Sequence, residues 1–176
     1  MRGNKRAVCF VLAVLLALGC LGMAGCKAVN PERIVVGDVH FEDLPDFWEY
    51  TESNSVGGVY YDYAFKIDDE TNVFFVFKKD ILVDQYYEFE KESTDPTYKS
   101  REMLEPRTIA GREAIHYIVY YKNSKVFSRE TYALTGRTGF SRRFGVTAIC
   151  IERTADSQYV PGDEFEKLLD TARIAF

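Results

Sequence analysis

Histidine and cysteine are scarce in this 176-residue chain, and each scarcity closes off chemistry. The two histidines, His40 and His116, belong to no ligand-spaced pair of the His-Glu-x-x-His kind, so both read as structural or surface residues. A nucleophilic triad needs an activated Ser or Cys beside one of them. No Gly-x-Ser-x-Gly elbow occurs, and Ser141, in Gly139-Phe140-Ser141-Arg142-Arg143, is not one. Phosphate loops and dinucleotide fingerprints are also missing. The acidic run Asp68-Asp69-Glu70-Thr71-Asn72 lacks the glycine of a calcium loop and reads as a solvated hairpin tip. No metal or cofactor is expected. Basic residues number 22 against 27 acidic, a net charge of −5, which argues against a nucleic-acid partner.

Long hydrophobic runs are missing too. The longest, Ala7 to Gly19, falls short of the ~20 residues a membrane-spanning helix needs. It follows Arg2, Lys5 and Arg6, which is the layout of a secretory signal peptide. The run ends in Met23-Ala24-Gly25-Cys26, which resembles a bacterial lipobox, with Met where Leu is usual. The resemblance implies cleavage before Cys26 and a diacylglyceryl group, bearing acyl chains such as palmitate, on its thiol. Cys20 is a poorer match. The expected division is a signal peptide over 1–25, a lipidated tether over 26–33 and one domain over 34–176. Cys9 and Cys20 leave with the leader and Cys26 is consumed by lipid. Cys150 alone remains, as a small apolar residue within a strand, and no intrachain disulfide can form.

What is present in abundance is aromatic: 13 Phe and 12 Tyr, a bias toward strands. Ile34 to Glu42 reads as a first strand and Phe47 to Thr51 as a short one. Residues 54–58 read as a turn. Gly58 to Asp68 alternates, and Val73 to Phe77 is continuously apolar, as a strand covered on both faces must be. Asp80 is placed to cap a helix through about Lys91, unless Ile81-Leu82-Val83 extends the preceding strand. Tyr98 to Thr108 is a polar strand or an irregular stretch, ending at Ala110-Gly111. Arg112 to Lys122 and Val126 to Leu134 pair across Asn123-Ser124. Thr135 to Arg143 is a glycine-containing basic connection, followed by a strand over Phe144 to Glu152. Phe165, Leu168, Leu169 and Ala172 then recur at helical spacing after Gly162, leading into a short final strand. This order predicts an α+β domain, a largely antiparallel sheet flanked by helices.

The second half, with Ile109-Ala110-Gly111-Arg112-Glu113-Ala114 entering a strand and Phe165 to Ile174 closing the chain, resembles the PsbP-like family of small envelope and thylakoid-lumen proteins. That resemblance implies an α/β/α sandwich, frequent lipoprotein anchoring, and binding or assembly in place of catalysis. No site residue is carried over from it.

Charge is segregated along the chain. Without Arg2, Lys5 and Arg6, 19 basic residues face 27 acidic ones, a net of −8. Residues 26–97 hold 6 basic and 17 acidic residues, whereas 98–143 hold 10 and 4. Either the basic segment faces an anionic partner, with Arg137, Arg142 and Arg143 as its candidates, or it pairs internally with the acidic segments. Tyr60 and Tyr120 are candidate exposed aromatics for a ligand groove, because each opposes its strand's apolar register. The expectation is a membrane-anchored, extracytoplasmic, non-catalytic binding or assembly module of the cell envelope. It is held to the cell or outer membrane through Cys26, with an envelope protein or anionic ligand as partner. The competing expectation is an extracytoplasmic hydrolase, which would gather His40 or His116 with carboxylates in a pocket.

Overall fold

A computed structural model describes residues 31–51, 62–91, 96–138 and 143–175. Within these, ten strands form two antiparallel sheets. The larger contains β3 (Glu49–Thr51), β4 (Tyr63–Asp68), β5 (Thr71–Lys79), β6 (Tyr98–Ile109), β7 (Arg112–Tyr121), β8 (Ser128–Arg137) and β9 (Phe144–Arg153), in the order β3-β4-β5-β9-β8-β7-β6. The smaller contains β1 (Arg33–Val36), β2 (Val39–Glu42) and β10 (Arg173–Ile174), with β2 central.

Continuously apolar β5 lies between β4 and β9, and it buries Val73, Phe74, Phe75 and Val76 on alternating faces. One face carries the larger core. Phe75 and Ile149 from the sheet meet Ile34, Val36 and Phe41 of the small sheet, together with Trp48 and α2 (Asp163–Thr171). Phe165, Leu168 and Leu169 of α2 are buried there, the stripe that their spacing predicts. The opposite face, with Val76, Ala133, Val146, Ala148 and Cys150, receives Tyr86 from α1 (Val83–Lys91). The molecule is therefore dominated by antiparallel sheet, with one nine-residue helix on each face and a second small sheet sharing the layer of α2.

Three sequence expectations are corrected. Ile34 to Glu42 is two strands, because Gly37 takes a φ of 64° and reverses the chain so that Val36 pairs with Val39. A two-residue reversal keeps Ile34, Val36, Val39 and Phe41 all facing the core, so the alternation alone concealed it. Asp80 is no helix cap. It has a φ of 57° at the end of β5, and the helix begins three residues later, where Gln85 Oε1 accepts the Leu82 amide at 3.0 Å. The connection expected from Thr135 begins only after Arg137, since Gly136 and Arg137 pair with Gly145 and Phe144 inside the sheet. The turn expected at residues 54–58 and the first half of the strand from Gly58 lie outside the described residues.

Candidate functional site

Where β7, β8 and β9 run side by side, a carboxylate is set into the core face. Glu130 lies two residues before Tyr132 on β8, so both side chains share that face. Register places His116 of β7 opposite Tyr132, and Arg153 ends β9 opposite Ser128. Glu130 is 6% exposed. Its Oε1 lies 2.8 Å from His116 Nε2 and accepts the Tyr132 hydroxyl at 2.7 Å. Its Oε2 accepts Arg153 Nη2 at 2.6 Å. The His116 imidazole stacks on the Tyr132 ring, with centroids 4.0 Å apart. Arg153 also donates through Nε to the Tyr159 carbonyl at 3.1 Å.

Burial by itself raises the pKa of Glu130. The hydrogen bonds from His116, Tyr132 and Arg153, and the arginine charge, outweigh it and hold the carboxyl at about 2. An ionised carboxylate only accepts, so Nε2 is the protonated nitrogen of His116 in this contact. Burial and the neighbouring Glu130 charge push Tyr132 well above its ordinary value, which keeps its hydroxyl a donor. Burial likewise lifts Tyr159 to about 12.

The chemistry this arrangement supports is limited. A general base needs a pKa near the working pH, and Glu130 is far below it. Both its oxygens are occupied by protein donors. His116 spends Nε2 on Glu130. Cys150 points to the opposite face, buried among Phe74, Ala133 and Ala148. Among the described residues, no group of three or more His, Cys, Asp or Glu is placed to hold a metal ion. His40 sits apart on the small sheet, in register with Val35 and Arg173.

A second polar cluster joins the sheets. Asp38 follows Gly37 in the β1–β2 turn and takes a two-pronged grip from Arg112, Nη1 to Oδ1 at 2.9 Å and Nη2 to Oδ2 at 2.7 Å. The Arg137 amide adds a third bond at 2.9 Å. Burial opposes ionisation of Asp38, but these donors lower its pKa on balance.

Five of the ten basic residues of the segment make such contacts. Arg107 pairs with Glu166 and, at 3.8 Å, Asp170; Arg129 pairs with Glu152 and Arg143 with Asp80 at 3.7 Å. Arg101 donates to the Tyr87 carbonyl at 2.9 Å and lies 3.4 Å over that ring. The Arg137 side chain is exposed, as are Lys99, Lys122 and Lys125. Tyr120 is half-buried, with its hydroxyl on Glu102 at 3.2 Å and its ring against Phe127. Cys26, Tyr60 and Arg142 lie outside the described residues. Sequence reasoning missed Glu130, Tyr132, Arg153 and Asp38. The available signal was a carboxylate, Glu130, inside the expected strand from Val126 to Leu134, and a Gly-Asp pair between alternating hydrophobics.

No family model and no curated protein matches the chain. Among solved structures it is similar to cyanobacterial PsbP (CyanoP) from Synechocystis sp. PCC 6803. The two share 14% identity over 87% of this chain and 99% of that one, with a TM-score of 0.45. So partial a likeness carries no inference about activity or partners.

Proposed function

We propose that this protein is a lipid-anchored, extracytoplasmic module of a bacterial envelope that binds or assembles and does not catalyse. Its body would be a PsbP-like α/β/α sandwich reduced to one helix per face. The closed Glu130 cluster carries this reading. Histidine and carboxylate do meet, but both carboxylate oxygens are taken by donors from within the protein. The anchor rests on Met23-Ala24-Gly25-Cys26 after a short apolar run. Among the described residues no helix is long and apolar enough to cross a membrane.

The test is metabolic labelling with palmitate in a bacterial host. The wild-type chain should take up label and partition with membranes, and Cys26→Ser should lose both. Label retained by Cys26→Ser refutes the assignment. Turnover of ester, glycoside or peptide substrates that disappears in His116→Ala would favour the hydrolase instead.

A further inference from the structure

The end of the large sheet where β5 and β8 stop and β9 starts differs from the rest of this acidic molecule. Phe144 is 47% exposed and Leu82 54% exposed. The segments that carry them are joined, because the Asp80 amide, two residues before Leu82, donates to the Phe144 carbonyl at 3.1 Å. Phe144 continues the alternation of Val146, Ala148 and Cys150, so it projects from the face that carries α1. Arg137 is its cross-strand partner, and Lys78 stands opposite Val146 on the same face. Arg143 precedes Phe144 and is 65% exposed; its one acidic contact among the described residues is a 3.7 Å approach to exposed Asp80. Large apolar groups set among cations are what an interfacial membrane contact requires. The rings enter the headgroup boundary while the cations meet anionic lipid.

The tether is long enough to reach this end. The Val36 carbonyl accepts the Thr147 hydroxyl at 3.1 Å, fixing β1 on β9 three residues from Phe144 and six from Arg153. Val36 is therefore ~10 Å from the Phe144 end; β1 runs toward that end, because Asp38 of the β1–β2 turn accepts the Arg137 amide, so Arg33, where the tether joins, lies up to ~20 Å from it. The seven-residue span from Cys26 to Arg33 reaches at most ~25 Å. A lipid on Cys26 can therefore lie in the same plane as Phe144.

We infer that the rim formed by Leu82, Phe144, Lys78, Arg137 and Arg143 rests on the anionic leaflet that holds the anchor. This inference depends on the lipoprotein reading, and the experiment separates the two. The full chain, lipidated in a bacterial host, is reconstituted into vesicles of phosphatidylcholine and phosphatidylglycerol carrying brominated acyl chains. Native Trp48, 1% exposed, provides the constant background. Phe144→Trp places an indole at the proposed contact. Val160→Trp places one beyond the far end of β9, at a residue 77% exposed. The indole at position 144 should shift to the blue and lose about half its emission to the brominated lipid, as a ring at the acyl boundary does, while that at 160 keeps its emission. Arg137→Gln with Arg143→Gln should weaken the quenching at 144. Leu82→Trp repeats the measurement should Phe144→Trp fail to fold. Quenching at 160, or equal quenching at both ends, overturns the orientation. If palmitate is present and position 144 stays unquenched, the anchor stands and this contact fails. If palmitate is absent, both fail.

Discussion

Glu130 is a charge that only its neighbours make tolerable. A carboxylate this buried costs several kcal/mol unless it is answered, and three donors answer it. Removing it strands the guanidinium of Arg153, so Glu130→Ala should destabilise the protein by about 3–5 kcal/mol in denaturant titrations. The pH dependence has a definite sign. The folded pKa of about 2 lies below the ordinary 4.5, so the carboxylate stabilises fully above pH 4.5. That contribution, on the order of 3 kcal/mol, drains away as pH falls from 4.5 toward 2. Glu130→Gln should be less stable at neutral pH yet show a flatter acid limb. An acid limb like that of the wild-type protein would remove Glu130 from this role. His116 was legible only as a structural or surface residue. Its partner was not, because Glu130 is fourteen residues away on another strand.

Among the elements, the β1–β2 hairpin shows how one position governs a sheet. Gly37 has a φ of 64°, and a Cβ there would meet Phe77 Cδ2 at 2.7 Å and Thr147 Oγ1 at 2.9 Å. Gly111, in the β6–β7 turn, has a φ of 72° with nothing near its missing Cβ. Alanine at 111 should therefore cost ~1–2 kcal/mol, the strain of the left-handed backbone alone. Alanine at 37 bears that strain plus displacement of a packed ring, and should cost at least ~1 kcal/mol more. Midpoints of urea unfolding compare the two directly, and equal shifts would mean that Phe77 yields without penalty. Both turns were marked by glycine in the sequence. Only Gly111 was read as a break, because it followed a polar strand, whereas Gly37 interrupted an apolar alternation that continues in phase on either side.

The whole molecule is held by two cores on opposite faces of one sheet and by ion pairs between distant segments. Its single described thiol, Cys150, is buried, and its histidines form no metal cluster among the described residues. A chain of this length buries enough surface to fold unaided. Chelator and reductant should accordingly leave the melting temperature of the purified protein unchanged within ~2 °C, and a drop of ten degrees or more would reveal a metal or bridge. The uneven charge along the chain becomes contact between segments. Acidic Asp38 and Asp80 come from the N-terminal half, Glu152, Glu166 and Asp170 from the C-terminal part, and all meet arginines of the basic middle.

The sequence by itself determined the strands and the last helix, since period-two alternation and the Phe165-Leu168-Leu169-Ala172 stripe are properties of contiguous residues. It also determined that strands would dominate and that a short apolar run precedes Cys26. Only the tertiary structure decided the strand order, the division of the first strand into a hairpin in a separate small sheet, and the pairing of each acid with its base. Arg112 and Asp38 are 74 residues apart in the chain, and any of several acids satisfies the composition equally well. Periodicity selects the face on which a side chain lies; the chain's route through space selects the partner it meets there.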